Sequence, residues 1–161
     1  MRGISMKFGS VYLIVKDFDK SVSFYQKVLE MEVTATNGKR FAVFHSDGFT
    51  LCLMNGYYDD ENRNQVIKKG DYWEIYDNQS KIANDVNTRK VFINLGVEDL
   101  AAEYNRIKKL GIAEQLTEIR YIHVFSPYWY FSFLDPDGNP IEVTGDYKEE
   151  CDDNNTYEQD C

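Results

Sequence analysis

The sequence is poor in the residues and patterns that mark metal-binding, membrane-spanning and nucleic-acid-binding proteins. Its three cysteines, Cys52, Cys151 and Cys161, follow no metal-ligand spacing. It has no secretory leader and no long apolar run, so we expect a cytoplasmic protein without a membrane partner. Lys and Arg number 18 against 27 Asp and Glu, a net charge of −9, which argues against nucleic acid or anionic membranes as partners.

The negative charge is concentrated at one end of the chain. Residues 148–161 carry one Lys and six acidic residues, a charge of −5, so the rest of the chain has a charge of only −4. Too little apolar surface is available there to offset the loss of chain entropy on folding. We therefore expect residues 147–161 to form an acidic disordered tail.

An internal repeat is the strongest positive pattern. Each copy has an alternating apolar run, then an acidic residue, then apolar residues spaced four, three and three apart. Alternation is typical of a half-buried strand, and the second spacing is typical of one face of a helix. The first copy consists of Val11, Leu13, Val15, Asp17, Phe18, Val22, Tyr25 and Val28. The second copy, 82 positions later, consists of Ile93, Leu95, Val97, Asp99, Leu100, Tyr104, Ile107 and Leu110.

The repeat predicts two similar modules joined by a polar connection. A second offset of 90 positions relates Asp47-Gly48 to Asp137-Gly138, and both pairs are typical of hairpin turns. We expect a first module at 1–55, the connection at 56–89, partly packed over a cavity, and a second module at 90–146. Expected strands are 9–16, 32–36, 40–46, 49–55, 90–97, 112–119, 127–135 and 139–145, and expected helices are 19–30 and 99–110.

Two segments carry a family resemblance. VYLIVKDFDKSVSFYQKVLEMEV at 11–33, together with FSFLDPDGNPIEV at 131–143, resembles the vicinal oxygen chelate superfamily. That superfamily includes glyoxalase I, bleomycin-resistance proteins, fosfomycin-resistance enzymes and extradiol dioxygenases. The resemblance implies an α+β fold in which two βαβββ modules form a cupped mixed sheet with helices outside. It also implies a homodimer.

The resemblance also implies four metal-ligand positions, two at the starts of the modules and two on their final strands. Carried over by the repeat offsets, these positions are Ser10, Cys52, Phe92 and Glu142. Only Glu142 is a usual ligand of the family, while Ser10 is a poor donor and Phe92 cannot bind a metal. We therefore expect no cofactor and no metal. The less favoured alternative is a divalent metal held by an altered site.

Alternation along the strands predicts which side chains face the cup. Aromatic, sulfur-containing and polar groups meet there, as in a small-molecule pocket. Aromatic residues form 15% of the chain, which is ample for the walls of such a pocket. The candidate ligand-binding residues are Tyr12, Cys52, Met54, Phe92, Asn94, His123, Tyr130, Ser132 and Glu142.

Each candidate also has a structural interpretation. Glu142 is the best catalytic candidate. Its functional interpretations are a general base or an anchor for a cationic ligand, and its structural interpretation is an ion pair with a Lys or Arg. Cys52 is expected to be a buried filler rather than a nucleophile because no basic partner is adjacent. His123 is a site residue or a structural one, and His45 is a surface turn residue. Arg40 and Arg120 hold an acidic ligand or are solvated charges.

Three functions are compatible with these features. The favoured one is a binding protein of the bleomycin-resistance kind, a homodimer that holds a small apolar or aromatic molecule without metal. The second is an enzyme, a glyoxalase-like lyase or isomerase or a dioxygenase, which requires a recruited metal. The third is a structural or regulatory protein whose cup is vestigial. The residues leave open the identity of the ligand and whether the modules pair within or between chains.

Overall fold

The computed structural model describes residue 6, residues 8–86 and residues 90–149. The chain divides into two compact units. The first unit comprises Met1–Lys90 together with Asp135–Asn139, and the second comprises Val91–Leu134 and Pro140–Cys161. Cys151, Cys161 and most of the predicted tail lie outside the described residues.

The first unit has the order βαβββ. Strand β1 (Val11–Val15) is followed by helix α1 (Phe18–Leu29) and by β2 (Ala35–Asn37), β3 (Phe41–Ser46) and β4 (Phe49–Asn55). The sheet order is β1-β4-β3-β2, with β1 parallel to β4 and the other pairs antiparallel. β4 has the predicted bounds, whereas β2 begins three residues later than predicted.

Local interactions define both ends of helix α1. The Asp17 carboxylate accepts a hydrogen bond from Lys20 N at 3.1 Å, which satisfies a free donor of the first turn. At the other end Glu30 takes a left-handed conformation, φ 52°. The helix buries an apolar face that includes Phe24, Tyr25 and Val28.

The connection between the repeats contains three short helices. They are α2 (Tyr58–Glu61), α3 (Glu74–Asp77) and α4 (Gln79–Asn84). Only α4 has a side-chain cap, because Asn78 accepts from Lys81 N at 3.3 Å. The polar sequence of this segment has no helical period, so its helices could not be predicted from the pattern.

The second unit repeats the βαβββ order. It contains β5 (Ile93–Asp99), α5 (Leu100–Leu110), β6 (Arg120–His123), β7 (Pro127–Leu134) and β8 (Pro140–Asp146). Its sheet order, β5-β8-β7-β6, matches that of the first unit, again with the first pair parallel. Asp99 caps α5 by accepting from Ala102 N at 2.9 Å, and Gly111 ends it with φ 65°.

The strand predicted at 112–119 is wrong. Only a single bridge, between Glu114 and Leu134, occurs in that range, and β6 begins at Arg120. Thr117 explains the difference. Its hydroxyl accepts from Ser132 N at 3.0 Å, so a side chain takes the place that a backbone carbonyl would hold in a continuous ladder.

The fold class agrees with the prediction: an α+β protein with two four-stranded mixed sheets. Each sheet packs one face against a helix, and buried apolar side chains such as Leu53, Phe131 and Val143 lie in the core. Within the described residues, no helix has both the length and the apolar character needed to span a bilayer.

Candidate functional site

One face of the second sheet carries four of the nine predicted site residues. Neighbouring strands place Asn94, Glu142 and Ser132 side by side, since Asn94 pairs with Glu142 and Glu142 with Ser132. Tyr130 pairs with Thr144 one step further along the same strands. Paired residues project from the same side of a sheet. By the same criterion Arg120 of β6, which pairs with Tyr130, also lies on this side. We call this the Glu142 face, consisting of Asn94, Gly96, Arg120, Tyr128, Tyr130, Ser132, Glu142 and Thr144.

Glu142 is held by an amide and not by a cation. Asn94 Nδ2 donates to Glu142 Oε1 at 2.8 Å. No Lys, Arg or His of the described chain lies within 4.0 Å of the Glu142 carboxylate. Pairing with a basic residue, which the sequence left open, is therefore not found among the described residues.

Two tyrosines stand beside this carboxylate. The ring centroids of Tyr128 and Tyr130 are 5.8 Å apart, with the rings tilted by 55°. Partial desolvation raises the pKa of Tyr128, and the negative charge of Glu142 adds to the increase. The Glu142 face therefore combines a carboxylate with aromatic surface.

Phe92 and His123 are less closely associated with Glu142. Phe92 precedes β5 and is 57% exposed. His123 is exposed at the end of β6, opposite Pro127. Pro127 and Ser132 are five residues apart on β7, or roughly 16 Å at the usual rise per residue. His123 is therefore remote from Glu142 along the sheet.

The equivalent face of the first sheet is partly covered. Tyr12 pairs with Cys52 and Ile14 with Met54, and Tyr12 also meets the ring of Phe41 edge-on at 6.5 Å. Cys52 and Met54 are only 4% and 7% exposed, whereas Tyr12 is 44% exposed. We call this the Cys52 face.

Helix α4 and the residue after β4 form part of this cover. A side-chain carbon built on Gly56 would lie 2.5 Å from Ala83 Cβ and 3.1 Å from Ile14 Cγ2. The connection therefore packs tightly on β1. Desolvation raises the pKa of Tyr12, and a hydrogen bond with Tyr76 of α3 adds to the increase.

Cys52 has the character of a buried filler. Burial raises the pKa of its thiol, and a hydrogen bond from Ser10 only partly opposes this effect. A raised thiol pKa reduces the thiolate fraction at neutral pH. The geometry thus disfavours a nucleophilic role.

Four charged residues that the sequence did not group together form a network in the first unit. Arg40 Nε donates to Asp59 Oδ1 at 2.9 Å, and Lys68 Nζ lies 3.2 Å from both Asp59 Oδ2 and Asp77 Oδ1. Arg40 is thus occupied by Asp59 and is neither a free rim charge nor an anchor for an acidic ligand. Arg120 remains exposed on β6.

The side chains at the family's metal positions do not fit a metal centre. Ser10 donates a hydrogen bond to Cys52, and Phe92 has no atom that can coordinate a metal. One Glu142 oxygen already accepts a hydrogen bond from Asn94. The described part of the chain contains no group of three or more His, Cys, Asp or Glu arranged to hold an ion. A catalytic divalent site generally needs three protein ligands.

A cleft that the sequence did not suggest adjoins the Glu142 face. Its volume is about 1160 Å³, and it shares Gly96, Tyr128 and Thr144 with that face. Trp129 and Tyr147, whose ring centroids are 4.9 Å apart, also line it. The charged residues of its lining are Glu98, Asp99, Asp146 and Lys148. In the sequence, only the acidic residues at the ends of the parallel strands β5 and β8 could have indicated this cleft.

Two βαβββ units, each with its own four-stranded mixed sheet, define the structural class, and sequence comparison identifies the family. A profile of the Glyoxalase/Bleomycin resistance protein/Dioxygenase superfamily matches residues 7–143. The chain belongs to this superfamily.

Relatives within the superfamily differ in what they are described as doing. A probable lactoylglutathione lyase from Vibrio parahaemolyticus serotype O3:K6 (strain RIMD 2210633) is 32% identical over 134 residues, covering 81% of this chain and 84% of that protein. A crystal structure of a lactoylglutathione lyase from Agrobacterium tumefaciens is 15% identical with a TM-score of 0.56, covering 89% and 96% of the two chains. A bleomycin-binding protein complexed with bleomycin is also 15% identical, with a TM-score of 0.54 and coverage of 88% and 100%.

Proposed function

We propose that this protein binds a small aromatic or apolar molecule on the Glu142 face without using a metal ion. The observation that carries the proposal is the surroundings of Glu142. Its carboxylate is held by the neutral Asn94 amide beside two tyrosines, while the other three family ligand positions hold Ser10, Cys52 and Phe92. Aromatic surface binds planar molecules by stacking and burial, worth about 25 cal/mol per Å² of apolar area removed from water.

The predicted residues divide between two surfaces under this proposal. Asn94, Tyr130, Ser132 and Glu142 form the binding surface. Cys52 and Met54 are buried and serve the packing of the first unit. Tyr12 and His123 are exposed elsewhere, and Phe92 adds an exposed ring before β5.

A metal-dependent lyase or isomerase is the second candidate. The observation that favours it is the 32% identity to a probable lactoylglutathione lyase over most of the chain. In this case Glu142 would be one ligand of an altered site, and other donors would have to join it.

The proposal includes a homodimer, as the family resemblance implies. Exposed apolar residues after and within β6, namely Ile122, Val124 and Phe125 at 37%, 71% and 98% exposure, support it. Light scattering after size exclusion measures the mass directly. A monomer at all concentrations would contradict this part of the proposal.

Two measurements test the main proposal. Elemental analysis of the purified protein should find well under one equivalent of Ni, Zn, Fe or Mn per chain. Naphthalene derivatives should raise the melting temperature, because a ligand that binds only the folded state stabilises it. A stoichiometric metal that only a chelator removes, together with activity on S-lactoylglutathione, would establish the lyase instead.

A matched pair of variants locates the binding surface. Tyr130→Leu removes an aromatic ring from the Glu142 face, so we expect it to abolish most of the thermal shift. Tyr121→Leu provides the control, since Tyr121 pairs with Trp129 on the opposite face of the same sheet. Equal loss in both variants would place the ligand elsewhere.

A further inference from the structure

We propose that residues 66–77, which include α3, form a flap that closes over Tyr12 on the Cys52 face and is held shut by the ion pairs of Lys68. Salt screens the charges that hold this flap, so its opening responds to ionic strength. The flap controls access to the Cys52 face of the first unit. The ligand proposed for the Glu142 face plays no part in its closure.

The flap has no apolar anchor of its own. None of the four residues of α3 is buried. Trp73, Ile75 and Tyr76 are 60%, 70% and 51% exposed. A helix of this length is unstable in water by itself, and helices in proteins draw most of their stability from a buried apolar face. Polar contacts therefore hold α3 in place.

Lys68 fastens the flap to the rest of the first unit. Its Nζ lies 3.2 Å from Asp77 Oδ1 at the end of α3 and 3.2 Å from Asp59 Oδ2 on α2. The two aspartate side chains are mostly buried, and Asp59 is also bound by Arg40 in the turn before β3. Among the described residues, Lys68 is the only cation paired with Asp77. Loss of the Lys68 charge therefore detaches α3 from α2.

The side-chain contacts between α3 and α4 lie at the surface. Glu74 accepts a hydrogen bond from Asn78 Nδ2 at 2.9 Å and lies 3.5 Å from Lys81 Nζ. The Glu74 and Lys81 side chains are both well exposed, and an exposed ion pair of this kind adds little stability. The more buried pairs of Lys68 therefore decide whether the flap stays closed.

The helix that follows the flap is fixed in a different way. Ala83 of α4 is buried, and it packs so closely on Gly56 that a side-chain carbon there would lie 2.5 Å from Ala83 Cβ. Asn78, between α3 and α4, has non-helical backbone angles, φ −85° and ψ 68°. The two helices are therefore not one rigid rod, and α3 can turn at Asn78 while α4 stays on β1.

The flap meets the Cys52 face at Tyr12. The side chains of Tyr12 and Tyr76 share a hydrogen bond, and Tyr12 is the register partner of Cys52 on the neighbouring strand. Paired residues project from the same side of a sheet, so the Tyr12 ring lies beside the Cys52 side chain. When the flap opens, Tyr12 loses its partner and can change rotamer, which admits solvent to the buried Cys52 thiol. The reactivity of Cys52 therefore reports on the flap.

Thiol labelling in the full-length chain tests the latch. In a Cys151→Ser/Cys161→Ser background, we expect maleimide to label Cys52 about threefold to tenfold faster at about 0.5 M than at about 0.05 M salt. Lys68→Met removes the charge but keeps a long side chain, so it should raise the low-salt rate by a similar factor and remove most of the salt dependence. Lys69→Met is the control, because Lys69 is exposed and has no ion pair within the described residues. It should keep the original rate and salt response.

A second variant breaks the same latch from the other side. Asp77→Asn removes the carboxylate charge but keeps a side chain that can accept from Trp73 N, as Asp77 does at 2.7 Å. The double variant with Lys68→Met should label Cys52 within about twofold of the faster single variant, because both changes remove one interaction. Fully additive acceleration would contradict a shared latch.

Hydrogen exchange separates opening of the flap from general loss of stability. In Lys68→Met, amides of residues 66–77 should exchange about threefold to tenfold faster, while those of β4 keep their rates. Equal acceleration in β4 would show that the whole unit is destabilised and would refute the flap. Unchanged exchange of residues 66–77 in both single variants would refute the latch. Faster exchange there without faster labelling would show that the flap does not cover Cys52.

Discussion

The hydroxyl of Tyr25 on α1 donates a hydrogen bond of 2.6 Å to Asp135 Oδ2, 110 residues later in the chain. Both side chains are almost completely buried, at 1% and 0% exposure. Burial and the adjacent Asp135 charge raise the pKa of Tyr25 well above its ordinary value. The two halves of the family resemblance, the helix after β1 and the DPDGN turn, therefore meet at one buried hydrogen bond.

Tyr25→Phe tests the contribution of this bond. The variant leaves a buried acceptor on Asp135 without its strongest donor, so we expect a loss of about 1–3 kcal/mol in the free energy of unfolding. Urea unfolding followed by circular dichroism measures it. Tyr121→Phe is the control, since its ring is 56% exposed, and should change stability by less than about 0.5 kcal/mol. Equal effects would show that the bond contributes little.

Gly56→Ala tests whether the close packing of α4 covers the Cys52 face. The new methyl group would overlap Ala83 Cβ, so we expect α4 to shift and the protein to lose about 1–3 kcal/mol of stability. In a Cys151→Ser/Cys161→Ser background, maleimide should label Cys52 faster after the substitution. Gly96→Ala, with no atom within 4 Å of its added carbon, should change neither quantity. Unchanged labelling in Gly56→Ala would indicate that α4 does not protect Cys52.

Asp59→Ala tests the charge network of the connection. Asp59 is 8% exposed and is shared by Arg40 and Lys68, so its removal leaves the partly buried Arg40 and the exposed Lys68 without it. We expect a loss of about 1–3 kcal/mol, measured by urea unfolding. Asp60→Ala, one residue later, removes only an exposed pair with Arg63 at 3.9 Å and should cost under about 0.5 kcal/mol. Similar losses in both variants would contradict a special role for Asp59.

Asp137→Asn tests the pH dependence of the turn. Burial raises the pKa of Asp137 above its ordinary 3.8, and the Asp135 charge adds to this despite hydrogen bonds from Lys16 N and Ser21 Oγ. A raised carboxyl pKa means that the folded state holds the proton more tightly, so stability is lost as the pH rises through the folded pKa. The Asn variant avoids this loss. Its stability relative to wild type should therefore increase between about pH 4 and neutral pH.

Chemical unfolding at a series of pH values measures that difference. Asp47→Asn, in the equivalent turn between β3 and β4, is the comparison for removing one negative charge from an exposed site. A decrease in the relative stability of Asp137→Asn with rising pH would show that the hydrogen bonds to Asp137 outweigh its burial.

Local patterns predicted the regular elements well where one interaction dominates. The apolar run that follows the Asp47-Gly48 turn gave the bounds of β4, and the acidic cap with its apolar face located α1 within one residue at each end. The first strand after α5 was predicted at 112–119 but lies at Arg120–His123, because the Thr117 side chain interrupts the hydrogen-bond ladder. The hydrophobic period of the sequence gives no sign of such a side-chain contact. The helices of the connection were missed because each is only four to six residues long and its polar sequence shows no helical period.

The candidate site was predictable in part. The repeat offsets placed Asn94 and Glu142 on one face of their sheet, and they are register partners there. The sequence could not say whether Glu142 would find a cation, because that depends on which long side chains reach it. It also could not assign Arg40 to Asp59, since Arg40 lies in the turn before β3 and Asp59 lies on α2, with β3 and β4 between them in the chain.

By itself the sequence determined the βαβββ order and the repeat, because these follow from period and turn chemistry. It also determined which residue types occupy the four positions that the resemblance assigns to metal ligands, and only Glu142 among them is a usual ligand of the family. Only the tertiary structure decided that the Cys52 face is partly covered, and that Glu142 lies beside two tyrosines without an ion-pair partner among the described residues. Covering and charge pairing depend on contacts between side chains far apart in the chain. Their free energies come from desolvation and distance, neither of which is encoded in a local pattern.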